Sequence, residues 1–360
     1  MELEHLAFIL TDACNFDCSY CYEGRGTQRL DPSTLIRAID LFRPYFAREC
    51  LVSFYGGEPL LAFDLIERAV ERLESSPQPN GHRVLFSITT NGSLLDEETL
   101  VYLERHGFSV TLSFDGSAQD LTRQKGTYDL LVTLIPRILA RPAISLETNS
   151  VFSADTVGYI ADSVELLARL GVTRLDLNLA HTPSWTPDAD LRLEEEIARV
   201  GEFFLSRYDD VREVPWIYYS EDAIKAVHYC SAGVDRMAVS AQGTIWGCAV
   251  FPHYLTEKYG PSGCQDFCFG DLDAFAGDPR EAYSRKIAAY AALRMDRFST
   301  PERPCSTCAE LESCWICPLA AGLTTGEIGR IAASTCRRAG VFREGKRRFL
   351  ERIRGRVRPG

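Results

Sequence analysis

The chain has 360 residues, of which 46% are hydrophobic and 25% charged, and a formal charge of -11. This is the composition of a globular protein long enough for one large domain and a smaller one, not of a disordered chain. The acidic balance, with no basic stripe, excludes the phosphate tracking of a nucleic-acid binder, and the Arg-rich stretch from Arg347 to Arg358 is short enough to be a solvated helix face. No apolar run reaches the roughly 18 residues of a membrane span. The opening MELEHLAFILTDAC has neither the basic start nor the cleavage site of a secretory signal. A cytoplasmic protein without nucleic-acid or membrane partners is expected. In that reducing compartment the thirteen cysteines are not disulfides, and their clustering points to metal or iron-sulfur ligation.

From residue 5 to about 210, short β-rich apolar runs alternate with segments of helical period. The strands read as His5–Thr11, Leu51–Tyr55, Val84–Thr90, Ser109–Asp115, Ile144–Ser150 and Arg174–Ala180. Between them, Leu65, Ile66, Ala69, Val70 and Leu73 share one helix face, as do Val164, Leu167, Ala168 and Leu170 later. Six such units predict an α/β fold, a parallel sheet curled into a partial (β/α)6 barrel with helices outside. Near Asp209–Pro215 the rhythm stops and the chain becomes rich in Cys, Gly and aromatics. Three regions are expected: a barrel over 1–210, a Cys-rich domain over 211–340, and a charged C-terminal helix and tail over 341–360.

In barrels of this kind the active site lies where the βα loops converge, at the C-terminal strand ends. The unusual residues fall there: Cys14, Cys18 and Cys21 after the first strand, Gly56–Pro59 after the second, Asn91 and Gly92 after the third, Asp115 and Gly116 after the fourth. CNFDCSYC spaces its thiols as C-x3-C-x2-C. Three thiolates on one loop leave one iron of a four-iron cluster open, unlike the four-cysteine ferredoxin pattern. The alternative, a zinc site, prefers four ligands in C-x2-C pairs.

The triplet resembles that of the radical SAM family, in which the open iron of a [4Fe-4S] cluster binds the amino and carboxylate groups of S-adenosylmethionine (SAM). An electron from the cluster then cleaves the sulfonium to give a 5'-deoxyadenosyl radical. YGGEPL resembles the family's GGEP motif, implying that Gly56, Gly57, Glu58 and Pro59 meet the SAM amino end. The same resemblance places Tyr22 near the adenine, brings Asn91 of TTNGSLL and Ser113 of SFDG into the pocket, and pairs Arg123 with the SAM carboxylate. Gln119 stands where relatives often carry His, so a surface role for Arg123 stays open.

Cys230, Gly243, Cys248, Cys305, Cys308, Cys314, Cys317 and Cys336 resemble the SPASM extension of radical SAM proteins, with two residues where the family commonly has three before the sixth cysteine. The resemblance implies two auxiliary [4Fe-4S] clusters, the first on Cys230, Cys248 and Cys317, the second on Cys305, Cys308, Cys314 and Cys336. The first is one ligand short. Either Cys264 or Cys268 closes it, or its iron stays open to substrate, and the open site is the preferred expectation. A zinc knuckle over the C-x2-C-x5-C-x2-C run is the alternative for the second. Cys50 reads as a buried apolar residue.

By resemblance the substrates are peptides or protein side chains, and the reaction is hydrogen abstraction leading to a thioether or carbon cross-link in a ribosomally made peptide. No catalytic residue beyond the cluster and SAM site is assigned. A flavodoxin- or ferredoxin-type electron donor is implied. Because the first strand begins by about residue 5, a separate leader-binding protein or direct recognition of the precursor is expected. Formylglycine-forming sulfatase maturation is the main alternative, but Ala249 stands where those maturases carry an aspartate base. A small-molecule radical SAM dehydrogenase and a non-enzymatic iron-sulfur or zinc scaffold complete the alternatives.

Overall fold

The computed structural model describes residues 2–21, 23, 26–75, 81–181, 185–220, 230–252, 266–294 and 297–356. In chain order the first elements are β1 (Leu3–Ile9), α1 (Pro32–Phe42), β2 (Phe46–Tyr55), α2 (Phe63–Glu74), β3 (Arg83–Thr90), α3 (Glu97–Arg105), β4 (Ser109–Ser113), the single turn α4 (Gln119–Thr122) and α5 (Tyr128–Leu139). They continue with β5 (Ser145–Phe152), α6 (Ile160–Arg169), β6 (Leu175–Leu179), α7 (Pro187–Arg207), β7 (Arg236–Val239), β8 (Thr244–Trp246) and β9 (Cys268–Asp271). Helices α8 (Leu272–Gly277), α9 (Pro279–Ala291), α10 (Pro318–Thr325) and α11 (Ala333–Arg356) follow. All six expected strands are present. The second begins five residues earlier than expected, at Phe46, because Phe46, Ala47 and Cys50 are buried. Cys50 is fully buried and behaves as a small core residue, its thiol pushed up to about 12 chiefly by burial.

The chain divides into two compact units. The first comprises Met1–Phe16, Cys21–Val110 and Tyr229–Arg294. Its strand order is β3-β2-β1-β7-β8-β9, with β1 parallel to both β2 and β7 and the β7-β8-β9 end antiparallel. The loss of βα rhythm expected beyond residue 210 is thus a change to hairpins on the same sheet, not an end of strands. Gly243, at φ +79°, makes the β7-β8 turn, where Ser240 N–H and Gly243 N–H donate to Thr244 O and Ser240 O. Helix α2 buries Leu65, Ile66, Ala69, Val70 and Leu73, the stripe its sequence predicts. Each buried Leu, Ile or Val of this stripe contributes about 1.5–3 kcal/mol relative to exposure. Asp31 caps α1 by accepting from Thr34 N–H, and Pro32 supplies the preset φ of a first helical position.

The second unit comprises Asp17–Tyr20, Thr111–His228 and Met295–Gly360. Its β5 and β6 are parallel, in the register Thr148 to Leu175 through Phe152 to Leu179. Its aromatic core stacks Trp216 on Tyr219 at 4.7 Å and sets Phe342 of α11 edge-on to Trp216. Helix α11 can lie close to α7 because residue 345 is glycine: a Cβ there would stand 2.3 Å from Ile197 Cγ2. That helix begins at Ala333, eight residues before the charged C-terminal region expected from 341. Among the described residues no helix is long and apolar enough to cross a membrane.

Candidate functional site

In the first unit, the segment that follows β1 is fixed to the turn that follows β2. Gly57 N–H donates to Thr11 O at 2.8 Å and Glu58 N–H to Ala13 O at 2.9 Å. A Cβ on Gly56 would sit 2.4 Å from Thr11 O, and one on Gly57 would sit 2.4 Å from Ala13 O. Both positions therefore exclude a side chain, and Gly56 additionally has φ +139°, a conformation L-residues avoid. The close backbone approach that these glycines permit is to the chain's own cysteine loop.

Glu58 and Pro59 are buried. Glu58 Oε1 accepts from Leu60 N–H at 3.0 Å and from the Thr90 hydroxyl at 2.8 Å, while Oε2 accepts from Asn91 N–H at 2.8 Å. Burial pushes its carboxyl up to about 7, and the three donors oppose that rise. Asn91 carries the link outward: its Nδ2 donates to Asn15 Oδ1 at 2.8 Å and approaches Cys14 Sγ at 4.0 Å. Phe16 N–H also points at Cys14 Sγ, at 3.4 Å. Cys14 and Cys21 are exposed and Cys18 is half-buried, so these thiols are open to a cofactor rather than packed into the core. Burial still raises the Cys14 thiol, while the Phe16 and Asn91 donors favour its thiolate.

In the second unit, Ser19 N–H donates to Thr122 O at 2.8 Å, and the Tyr20 hydroxyl donates to Asp115 Oδ2 at 2.5 Å. Asp115 is completely buried; it also accepts from the Thr122 hydroxyl at 2.6 Å and Val151 N–H at 2.8 Å, and pairs with Arg123 at 3.0 Å. Arg123, 8% exposed at its side chain, donates to Asn149 O at 3.3 Å and lies over the Tyr20 ring at 5.5 Å. It is therefore no surface charge. Its buried Nε has no protein partner. Gln119 does structural work: its Oε1 accepts from Asp115 N–H at 3.0 Å and its Nε2 donates to Thr127 Oγ1 at 2.9 Å. Ser113, half-buried, ends β4 two residues before Asp115. Tyr22 and Cys264 lie outside the described residues.

Sequence reading passed over Tyr20, Asp115 and Thr122 as partners of the cysteine loop. The available signal was a tyrosine between two cysteines and an aspartate ending a strand, each commonplace alone.

Cys305, Cys308, Cys314 and Cys336 line one small cavity of the second unit with Arg303, Ile316 and Arg343. Burial pushes the Cys305 thiol up to about 11, and Cys314, Cys336 and Cys308 each add to the rise. Arg303 Nη2 donates to Cys308 Sγ at 3.4 Å, placing a cation beside the group. Cys317 caps α10 and lines a different cavity, with Trp315, Arg338 and Phe342. In the first unit, Cys230 and Cys248 are half-buried. Among the described residues no group of three or more His, Cys, Asp or Glu is arranged to hold a single metal ion. A four-iron cube holds its thiolates farther apart than one tetrahedral ion does, and a cavity lined by four cysteines fits the cube's all-thiolate ligation.

A family model described as the Radical SAM superfamily matches residues 8–139. The radical SAM cyclopropyl synthase TigE of Paramaledivibacter caminithermalis is 22% identical over 74% of this chain and 62% of its own length. The chain thus spans about three-fifths of that relative. Among solved structures, native anSMEcpe with bound AdoMet superposes with TM-score 0.77 at 16% identity, over 97% of this chain and 99% of the other. Streptococcus suis SuiB bound to precursor peptide SuiA gives TM-score 0.60 at 17% identity, over 93% and 76%. At such identities the structural likeness speaks for the fold, which is the α/β class with the partial barrel expected from the sequence. The matched region runs from β1 into α5 and contains Cys14, Cys18, Cys21 and the Gly56–Pro59 turn, so it is over this part of the chain that the likeness to the Radical SAM superfamily lies.

Proposed function

We propose that the chain is a radical SAM enzyme of the SPASM type that modifies a ribosomally made peptide by oxidative hydrogen abstraction, forming a thioether or carbon cross-link. The observation that carries this reading is the C-x3-C-x2-C loop: Cys14 and Cys21 exposed and Cys18 half-buried, on a segment whose start is fixed to the turn after β2 by Gly57 and Glu58. Cys14, Cys18 and Cys21 would hold a [4Fe-4S] cluster, and Cys305, Cys308, Cys314 and Cys336 an auxiliary one. When bound, the first cluster and SAM supply a primary carbon radical able to take hydrogen from an unactivated C–H bond.

The chain's own residues bind and orient. Gly56 and Gly57 let the loop approach. Glu58 and Asn91 fix the backbone beside Cys14. Arg123, held by Asp115 and with Nε unused by protein partners, is set to receive the SAM carboxylate. Ser113 and Tyr22 complete the pocket by resemblance. TigE, named as a cyclopropyl synthase, and SuiB, solved with its precursor peptide, support a peptide-directed or bond-forming reaction. A flavodoxin- or ferredoxin-type protein would supply the electron. Ala249, directly after Cys248, offers no base and so favours cross-linking over formylglycine formation.

The test is anaerobic reconstitution followed by reduction in the presence of SAM. Wild type releases 5'-deoxyadenosine. The triple variant Cys14→Ala, Cys18→Ala, Cys21→Ala releases none while keeping its auxiliary iron. Equal release by the two proteins overturns the assignment.

A further inference from the structure

The seven cysteines that resemble the SPASM pattern leave the first auxiliary cluster with three thiolates, and the region around Tyr290 shows where another lies. Tyr290 is buried in α9. Its hydroxyl accepts from Gly247 N–H at 2.7 Å and donates to Phe267 O. Residues 247 and 267 directly precede Cys248 and Cys268, so one side chain ties together the two backbones that carry these thiols. The strands agree: β8 and β9 are antiparallel, and Trp246 is opposite Cys268.

Cys230 is drawn into the same place. Gly233 N–H, three residues beyond it, donates to Gly247 O at 3.0 Å. A Cβ on Gly233 or Gly247 would stand 2.7 Å or 2.4 Å from the Tyr290 ring, so both glycines are needed for this convergence. Cys268 Sγ also receives Gly270 N–H at 3.4 Å, a donor suited to a thiolate.

We propose that Cys268 is a ligand of the first auxiliary cluster beside Cys230 and Cys248, and that Tyr290 is the positioning residue holding the Cys248 and Cys268 backbones together. This rests on the radical SAM/SPASM reading above, and of the two closing ligands that the sequence left open it selects Cys268 over Cys264.

The experiment is done in the full-length Cys14→Ala, Cys18→Ala, Cys21→Ala background, so that only auxiliary iron is counted. Adding Cys268→Ala is expected to remove about four irons per chain, one cluster's content, while the cluster on Cys305, Cys308, Cys314 and Cys336 persists as an internal sign of correct folding. Adding Cys268→Ser is expected to retain iron but shift the EPR spectrum of the reduced protein, because an alkoxide replaces a thiolate. Tyr290→Phe is expected to lower cluster occupancy without abolishing it. Full iron content with an unchanged spectrum in both Cys268 variants overturns the proposal. A background protein without auxiliary iron would instead overturn the SPASM reading on which it rests.

Discussion

Arg123 and Asp115 form an ion pair, Nη2 to Oδ1 at 3.0 Å, in which the side chains are only 8% and 0% exposed. The carboxylate also receives the Tyr20 hydroxyl from between the second and third cysteines of the loop, so this pair is tied to the loop that carries Cys18 and Cys21. Removing one member leaves the other charge buried and alone, which costs about 3–5 kcal/mol. Asp115→Ala is therefore expected to destabilise by that amount in urea titrations. Asp115→Ala with Arg123→Met is expected to cost less than the sum of the single changes. Additive losses would show that the two side chains do not interact.

Gly57→Ala places a methyl group 2.4 Å from Ala13 O, a backbone atom that cannot swing away. The expected result is a stability loss of about 1–3 kcal/mol, together with loss of iron from the Cys14, Cys18 and Cys21 cluster and retention of auxiliary iron. Gly201→Ala, in α7, is the control: a Cβ there meets nothing within 4 Å. It should be neutral or slightly stabilising, since alanine is the better helix former. Iron analysis and thermal melts of the two variants read both outcomes.

His5 on β1 shares a hydrogen bond with Ser53 Oγ at 2.7 Å. Burial lowers its pKa from 6.5 to about 4, with Arg236 adding to the shift and Asp235 opposing it. Between those two values the unfolded chain binds a proton that the folded chain does not. Stability from this group is accordingly full above pH 6.5 and declines as pH falls toward 4. His5→Gln is expected to flatten this part of the stability profile, measured by urea unfolding at steps from pH 7 down to pH 5. An unchanged slope would mean that other groups govern acid sensitivity there.

Arg338 of α11 pairs with Asp190 at 3.2 Å and lies over the Trp185 ring at 4.6 Å. A lysine keeps the charge but not the flat, weakly hydrated face that stacks on an indole. Arg338→Lys is thus expected to cost about 1–2 kcal/mol and to alter tryptophan fluorescence. A variant as stable as wild type, with the same emission, would show that the stacking contributes nothing.

The alternation of apolar runs was enough to place the six strands of the βα region, because a strand buried on both faces or one must carry its hydrophobic residues locally. The triplet Cys14, Cys18 and Cys21 and the turn Gly56 to Pro59 were legible for a similar reason: ligand spacing and tight turns are constraints within a few residues. Partners far apart in the chain were not legible. Nothing in the sequence links Tyr20 to Asp115, or states that Gly57 faces Ala13; those meetings are decided by the register between β1 and β2 and by the path of the loops. The same holds for Cys268. As one of two cysteines in a glycine-containing stretch it was indistinguishable from Cys264, and only the antiparallel pairing of β8 with β9, closed by the hydroxyl of Tyr290 between Gly247 and Phe267, brings its backbone beside the segment that carries Cys248.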